Sequence, residues 1–120
     1  MRVISGIARR TPLSAPEGER TRPTADIARE GLFNILSESI GGAVFLDLFC
    51  GSGAVGIEAL SRGADIVWFV DHWIRAIEST QQNLHRAKLT AHAHVLKESV
   101  PAAINHFAEN GQIFDYKDKR

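Results

Sequence analysis

Ala43-Val44-Phe45-Leu46-Asp47-Leu48-Phe49-Cys50-Gly51-Ser52-Gly53-Ala54-Val55-Gly56 is the stretch on which the reading of this chain turns. An apolar run of strand length enters a glycine-rich turn and leaves it as a helix that reaches about residue 62, where Gly63 ends it. A second apolar run, Ile66-Val67-Trp68-Phe69-Val70, stops at Asp71 and hands over to an amphipathic helix over about residues 73–88, with Ile74, Ile77, Leu84 and Ala87 facing inward. That completes a β-α-β unit. A third short strand is predicted near residues 93–96, then a helix over 100–109 with Ser99 as N-cap and Gly111 past its end, and a fourth strand beginning at Ile113-Phe114. Strands that alternate with helices predict an α/β fold, a parallel sheet with helices on both faces.

Upstream of this unit the pattern is different. Residues 2–14 read as extended pieces folded into a hairpin, and residues 15–23, with Pro16, Gly18 and Pro23, as a loop. Thr24 offers an N-cap oxygen to a helix from about residue 25 whose Ile27, Leu32, Phe33, Ile35 and Leu36 share a face, and Gly41-Gly42 ends it. Two parts are expected: a basic arm or hairpin over 1–24, and over 25–120 the cofactor-binding half of a larger α/β domain. There is no internal repeat and no low-complexity tract.

The 120 residues are 44% hydrophobic and 23% charged, the balance of one soluble globular core. Residues 40–60 form the one long low-polarity stretch, and Asp47, Glu58 and several glycines interrupt it, so it does not read as a membrane span. The N-terminus lacks the apolar run of a signal peptide and the single cysteine, Cys50, can form no internal disulfide, which together predict a reducing cytoplasm. Fourteen Lys plus Arg balance fourteen Asp plus Glu, excluding a uniformly basic surface. The first 25 residues nevertheless carry Arg2, Arg9, Arg10, Arg20 and Arg22 against only Glu17 and Glu19. Guanidinium groups donate several hydrogen bonds in a fixed plane and read phosphates and base edges well, so these five arginines are the candidate RNA or DNA contacts. A solvated, flexible arm is the alternative.

A parallel sheet binds its ligand beyond the carboxyl ends of the strands, at the first β-α turn. Gly51, Gly53 and Gly56 fit G-x-G-x-x-G, which by itself leaves dinucleotides and S-adenosylmethionine both open. Asp47 discriminates, because an acid near the end of an apolar strand repels a phosphate and suits the ammonium and sulfonium of S-adenosylmethionine. Asp71, at the end of the second strand, is placed to accept the ribose hydroxyls of either cofactor. His92 and His94 read as a polar strand end, not a metal site, Cys50 as a small packed residue, and Trp68 as core; His72 and Trp73 could edge the adenine.

Two blocks carry a resemblance. Asp47-Leu48-Phe49-Cys50-Gly51-Ser52-Gly53, with Gly56-Ile57-Glu58-Ala59-Leu60-Ser61-Arg62-Gly63-Ala64, is similar to motif I of the bacterial small-subunit ribosomal RNA guanine-N2 methyltransferases. Arg22-Pro23-Thr24-Ala25-Asp26, with Arg29-Glu30 and Leu32-Phe33-Asn34-Ile35-Leu36, resembles their N-terminal signature, and Met1-Arg2-Val3-Ile4-Ser5-Gly6 their opening. The resemblance implies a Rossmann-like class I methyltransferase fold, S-adenosylmethionine as donor, and a guanine amine of small-subunit ribosomal RNA, free or in an assembling subunit, as acceptor. It also implies cofactor contacts at Thr24, Asp47, Phe49, Gly51, Ser52, Gly53, Asp71, His72, Glu98 and Ser99.

This sequence departs from the family pattern in two places. Where the family has an acid for the adenine amine, Lys97-Glu98-Ser99 puts Ser99 at that place with Glu98 beside it. Where the fourth strand of the family runs into Asp-Pro-Pro-Tyr, which holds and stacks the guanine, this chain has Phe114-Asp115-Tyr116-Lys117-Asp118-Lys119-Arg120. No catalytic residue is therefore assigned, the C-terminal strands are expected to be missing, and no methyl transfer is expected from these residues alone. The first strand would then be an exposed central edge open to self-association. A non-catalytic RNA- or cofactor-binding remnant and an NAD-dependent oxidoreductase fragment are the alternatives.

Overall fold

A strand that is apolar along its length needs cover on both faces. The computed structural model describes residues 1–18, 23–36, 38–109, 111 and 114–119, with the backbone alone at 23–28 and 117–119. Its elements are α1 (Pro23–Leu36), β1 (Val44–Leu48), α2 (Ala54–Ser61), β2 (Ile66–Asp71), α3 (Ile74–Ala87), β3 (Ala93–Lys97), α4 (Val100–Glu109) and β4 (Tyr116–Lys119), with a short 3-10 turn, Thr90–His92, before β3. The strands lie in the order β3-β2-β1-β4, every neighbouring pair parallel. This is the predicted α/β architecture.

Alternation along the strands sends side chains to opposite faces. Phe45, Val67 and Phe69 pack on one face with Ile57 and Leu60 of α2 and Leu84 of α3. Leu46, Leu48 and Val70 pack on the other with Ala103 and Phe107 of α4. On that second face Phe107 stands edge-on between Trp68 and Phe114, with ring centroids 5.3 and 5.0 Å away. Gly56 sets how closely α2 can lie on the sheet, since a Cβ there would come within 2.3 Å of the Phe69 ring.

The hairpin forms and is not a free arm. Arg2 and Pro12 make an antiparallel bridge, Val3 N–H donates to Thr11 O, and Leu13 N–H donates to Met1 O. Val3, Ala8 and Leu13 are buried in the same core as the sheet. The anchor is Glu58, an acid in the middle of α2 with no solvent exposure. Its Oε1 accepts from Ile4 N–H at 2.9 Å and its Oε2 from Ser5 N–H at 3.0 Å. Arg62 Nε donates to Oε2 at 2.8 Å, and Arg29 Nε of α1 lies 3.8 Å from Oε1. One turn further along α2, Ser61 Oγ accepts from Ala8 N–H and donates to Ser5 O.

Several expectations change. Thr24 lies inside α1, one residue after Pro23, whose fixed φ suits the first turn of a helix, so it does not cap the helix. Of the predicted apolar face of α1, Phe33 is fully buried, under the Arg62 guanidinium, whereas Ile35 is 83% exposed and Leu32 38%; the helix meets the body along a narrow stripe that also carries Arg29. Ile27 falls among residues whose side chains lie outside the described part. Ile74 is 48% exposed because it opens α3 at the rim of the sheet. Phe114 lies before the fourth strand, Ile113 falls outside the described residues, and β4 pairs with β1 from Phe45↔Tyr116 to Leu48↔Lys119. β1 is therefore an interior strand and offers no open edge. No helix among the described residues is long and apolar enough to cross a membrane.

Glu58→Ala would leave two hairpin amides and the Arg62 guanidinium without their acceptor. Denaturant unfolding should show a loss of about 3–5 kcal/mol, and Glu58→Gln, which keeps one acceptor, a smaller loss. A change under about 1 kcal/mol for Glu58→Ala would show that the carboxylate does not hold the hairpin.

Candidate functional site

The carboxyl ends of β1, β2 and β3 meet at the turn formed by residues 49–53. The backbone there is bent into the left-handed region at Phe49 (φ 62°), Gly51 (φ 57°) and Gly53 (φ 80°). Such a conformation is costly for a residue with a side chain, and Phe49 adopts it while 38% exposed, so the surrounding structure must hold it. The holding comes from two sides. From β2, Asp71 Oδ2 accepts from Gly51 N–H at 3.1 Å and Oδ1 from Trp73 N–H at 3.0 Å. From α3, Thr80 Oγ1 donates to Gly51 O at 2.9 Å and Asn83 Nδ2 to Ser52 O at 2.8 Å. Gly53 lies directly on α3, and a Cβ there would come within 2.9 Å of Thr80 Cγ2. At Gly51 an added Cβ would meet nothing within 4 Å, so the turn is packed from below and open above.

The structure brings most of the predicted cofactor residues to this end of the sheet. Asp71 is 6% exposed and its carboxylate braces the turn. His72, exposed, has Nδ1 3.6 Å from Asp71 Oδ1. Glu98 follows β3 with its N–H on Asp71 O at 3.0 Å, and its Oε2 is buried with no hydrogen-bond partner among the described residues. Ser99 is the N-cap of α4, as predicted, its Oγ accepting from Ala102 N–H at 3.3 Å. Ser52 Oγ accepts from Ala54 N–H at 3.3 Å. Asp47, on β1 just below the turn, is fully buried. The Thr24 side chain lies outside the described part, as do Arg20 and Arg22. Arg2, Arg9 and Arg10 are all exposed on the hairpin.

The residues that the sequence reading missed are polar and buried. Ser79, Thr80 and Asn83 form a polar stripe on the inner face of α3, where apolar residues were sought. The visible signal was a Thr and an Asn three residues apart on the helix that follows the acid of β2. Cys50 is buried with Sγ 3.3 Å from Thr80 Oγ1, a packed position. His92 Nδ1 sits 3.2 Å from Asp65 O, and the His94 ring stacks on Trp68 at 4.1 Å, so both rings are already engaged.

Known proteins share this geometry. The family described as Conserved hypothetical protein 95 matches residues 1–116, nearly the whole chain. The chain belongs to this family. YlbH of Bacillus subtilis is 44% identical over 105 residues, which cover 88% of this chain and 57% of that protein. Ribosomal RNA small subunit methyltransferase D of Escherichia coli K12 is 50% identical over 64 residues, 53% of this chain and 32% of that protein. The solved structure of a hypothetical protein from Thermus thermophilus superposes on 98% of this chain with a TM-score of 0.84, at 30% identity, and this match covers 66% of that chain. The chain thus spans about half the length, or less, of the curated relatives it matches. Within the family fold it contributes the N-terminal hairpin, the glycine turn, the acid that ends β2 and the acid that follows β3.

Gly53→Ala would force a Cβ into the left-handed region and against Thr80. It should cost about 1–2 kcal/mol in unfolding measurements, with the loss of amide protection concentrated at residues 50–57. Gly51→Ala, facing open space, pays only for backbone conformation, and a larger loss there than at Gly53 would contradict the packing described.

Proposed function

We propose that this chain is the cofactor-binding and RNA-contacting part of an S-adenosylmethionine-dependent methyltransferase, acting on the N2 amine of a guanine in small-subunit ribosomal RNA. The observation that carries the reading is the open side of the glycine turn, bordered by carboxylates. Asp71 ends β2 and Glu98 directly follows β3 at this rim, while Asp47 lies one residue before the end of β1, buried below the turn. An acidic set suits a sulfonium and an ammonium and opposes a pyrophosphate, which favours this cofactor over a dinucleotide. The buried Glu98 Oε2, which has no hydrogen-bond partner among the described residues, supplies what an adenine amine needs, an acceptor. Asp71 keeps unused lone pairs for ribose hydroxyls while holding the turn through Gly51. The relative from Escherichia coli is named a ribosomal RNA small subunit methyltransferase, and membership of the family supports the same chemistry here.

When bound, S-adenosylmethionine would supply an activated methyl group. What this chain's residues do is seat the nucleoside against Gly51, Asp71 and Glu98, with Asp47 buried below the turn, and present Arg2, Arg9 and Arg10 from the hairpin to phosphates. Arg20 and Arg22 extend the same basic segment in the sequence. The Asp-Pro-Pro-Tyr run that the resemblance implies for orienting the amine has no counterpart after Tyr116, so cofactor binding and RNA contact, not the transfer step, are proposed for these 120 residues. A cytoplasmic site of action follows from the ribosomal substrate.

Calorimetry of the full chain with S-adenosylhomocysteine and with NAD tests the cofactor: binding of the first alone is expected, and binding of NAD alone would overturn the reading. Asp71→Ala should weaken S-adenosylhomocysteine by about 1.5–3 kcal/mol, the range for a charge-assisted hydrogen bond. For the hairpin, RNA affinity should fall as salt is added. Replacing Arg9 and Arg10 with Ala should reduce the slope of log affinity against log salt by about one to two, through fewer released counterions. An unchanged slope would remove both arginines from the interface.

A further inference from the structure

One buried side chain touches both halves of the proposed site. Asn83, on the inner face of α3, has no solvent exposure. Its Nδ2 donates to Ser52 O of the glycine turn at 2.8 Å and to Ser14 O at the foot of the hairpin at 2.9 Å. Its Oδ1 accepts from Ser14 N–H at 2.9 Å and from Arg86 Nη1 at 3.2 Å. Both amide donors and both acceptor positions are used, the full capacity of an asparagine. The Oδ1 contacts fix the orientation of the amide, because a flipped group would point its NH2 at the Ser14 N–H and the Arg86 guanidinium. Arg86 Nη1 also reaches Pro12 O at 3.1 Å, so the same corner of α3 grips the hairpin foot twice. Its neighbours on α3 are more specialised: Ser79 Oγ donates to Ser14 O and serves the hairpin, whereas Thr80 Oγ1 donates to Gly51 O and serves the turn.

We propose that Asn83 is a positioning residue that couples the two sites, so that cofactor at the glycine turn and RNA at the hairpin each strengthen the binding of the other. The proposal rests on the function proposed above and adds to it a regulatory link within one site. The physical basis is a shared constraint. A ligand that orders the turn fixes Ser52 O, which fixes the Asn83 amide, which fixes the Ser14 main chain on both its N–H and its C=O. A second ligand that needs the hairpin seated then meets a segment already ordered, and linkage makes the effect equal in both directions. Among the described residues Thr80 and Ser79 each bond to one side only, so neither transmits it.

The test uses the full chain and three variants, Asn83→Ala, Ser79→Ala and Thr80→Val. Hydrogen exchange without ligand comes first. Ser79→Ala is expected to speed exchange in residues 1–14 alone, Thr80→Val in 50–57 alone, and Asn83→Ala in both. S-adenosylhomocysteine affinity is then measured with and without a saturating short fragment of small-subunit ribosomal RNA. In the unaltered chain and both single-sided variants the RNA should tighten the cofactor analogue by about fivefold or more, and in Asn83→Ala the ratio should fall to about one. A merely structural asparagine would lower both affinities and leave the ratio intact, and that result overturns the proposal. So does an exchange pattern in Asn83→Ala confined to one side. Failure of the unaltered chain to bind S-adenosylhomocysteine at all would count against the proposed function instead, and the ligand-free exchange pattern decides the bridge independently of it.

Discussion

The carboxylate of Glu58 is the constraint that the rest of this structure answers to. A charge with no solvent exposure is tolerated only when it is paired and hydrogen-bonded, and here two backbone amides and two guanidinium groups converge on it. Those partners come from the hairpin, from α1 and from the end of α2 itself. Satisfying one acid therefore fixes three segments relative to one another. Because α2 starts at the glycine turn, the same requirement also decides where the hairpin stands with respect to the site. A buried ion cluster of this kind adds little net stability over an apolar substitute, but it permits few alternative arrangements, which is what a site assembled from distant segments needs.

Most of the sheet was legible in the sequence because its signals are local. The apolar runs at Val44–Leu48 and Ile66–Asp71, the glycine turn and Gly63 after α2 each declare themselves within a few residues. Ser99 as the cap of α4 belongs to the same class. The outer side of α1 was not legible. Leu32 and Ile35 make one apolar pair at helical spacing beside Phe33, and only the tertiary contact of Arg29, one turn before Phe33, with Glu58 and Arg2 O tells which stripe faces the body. The pairing of β4 with β1 was missed for a related reason: Tyr116-Lys117-Asp118-Lys119 has little strand character of its own, and it pairs because β1 offers an unfilled row of backbone groups.

For the site, the acids and glycines could be named from the sequence while their supports could not. Asp71 and Gly51 are recognisable by position, yet the hydrogen bond between them makes Asp71 a brace of the turn as well as a ligand candidate. Thr80 and Asn83 look like the solvated side of an amphipathic helix until the turn is seen resting on them. Polar residues on an inward helix face are invisible in a pattern of hydrophobicity, since the pattern has no term for a backbone carbonyl that needs a donor. Glu98 shows the converse, a side chain with no helical or strand pattern to mark it, whose Oε2 is a buried acceptor with no partner among the described residues.

The hairpin is the first part of this chain to be synthesised, yet the contacts that seat it lie far downstream. Ile4 waits for Glu58, 54 residues away, and Ser14 for Asn83, 69 residues away. Closing such loops is slow compared with forming a helix or a hairpin, and the entropy is lost before the contacts form. On the ribosome the N-terminal segment must therefore remain unseated until α2 and then α3 have emerged, exposing Val3 and Leu13 meanwhile. Its last residues to dock are held by the helix that also supports the glycine turn, so the segment proposed to meet RNA cannot be in place before the glycine turn has its support.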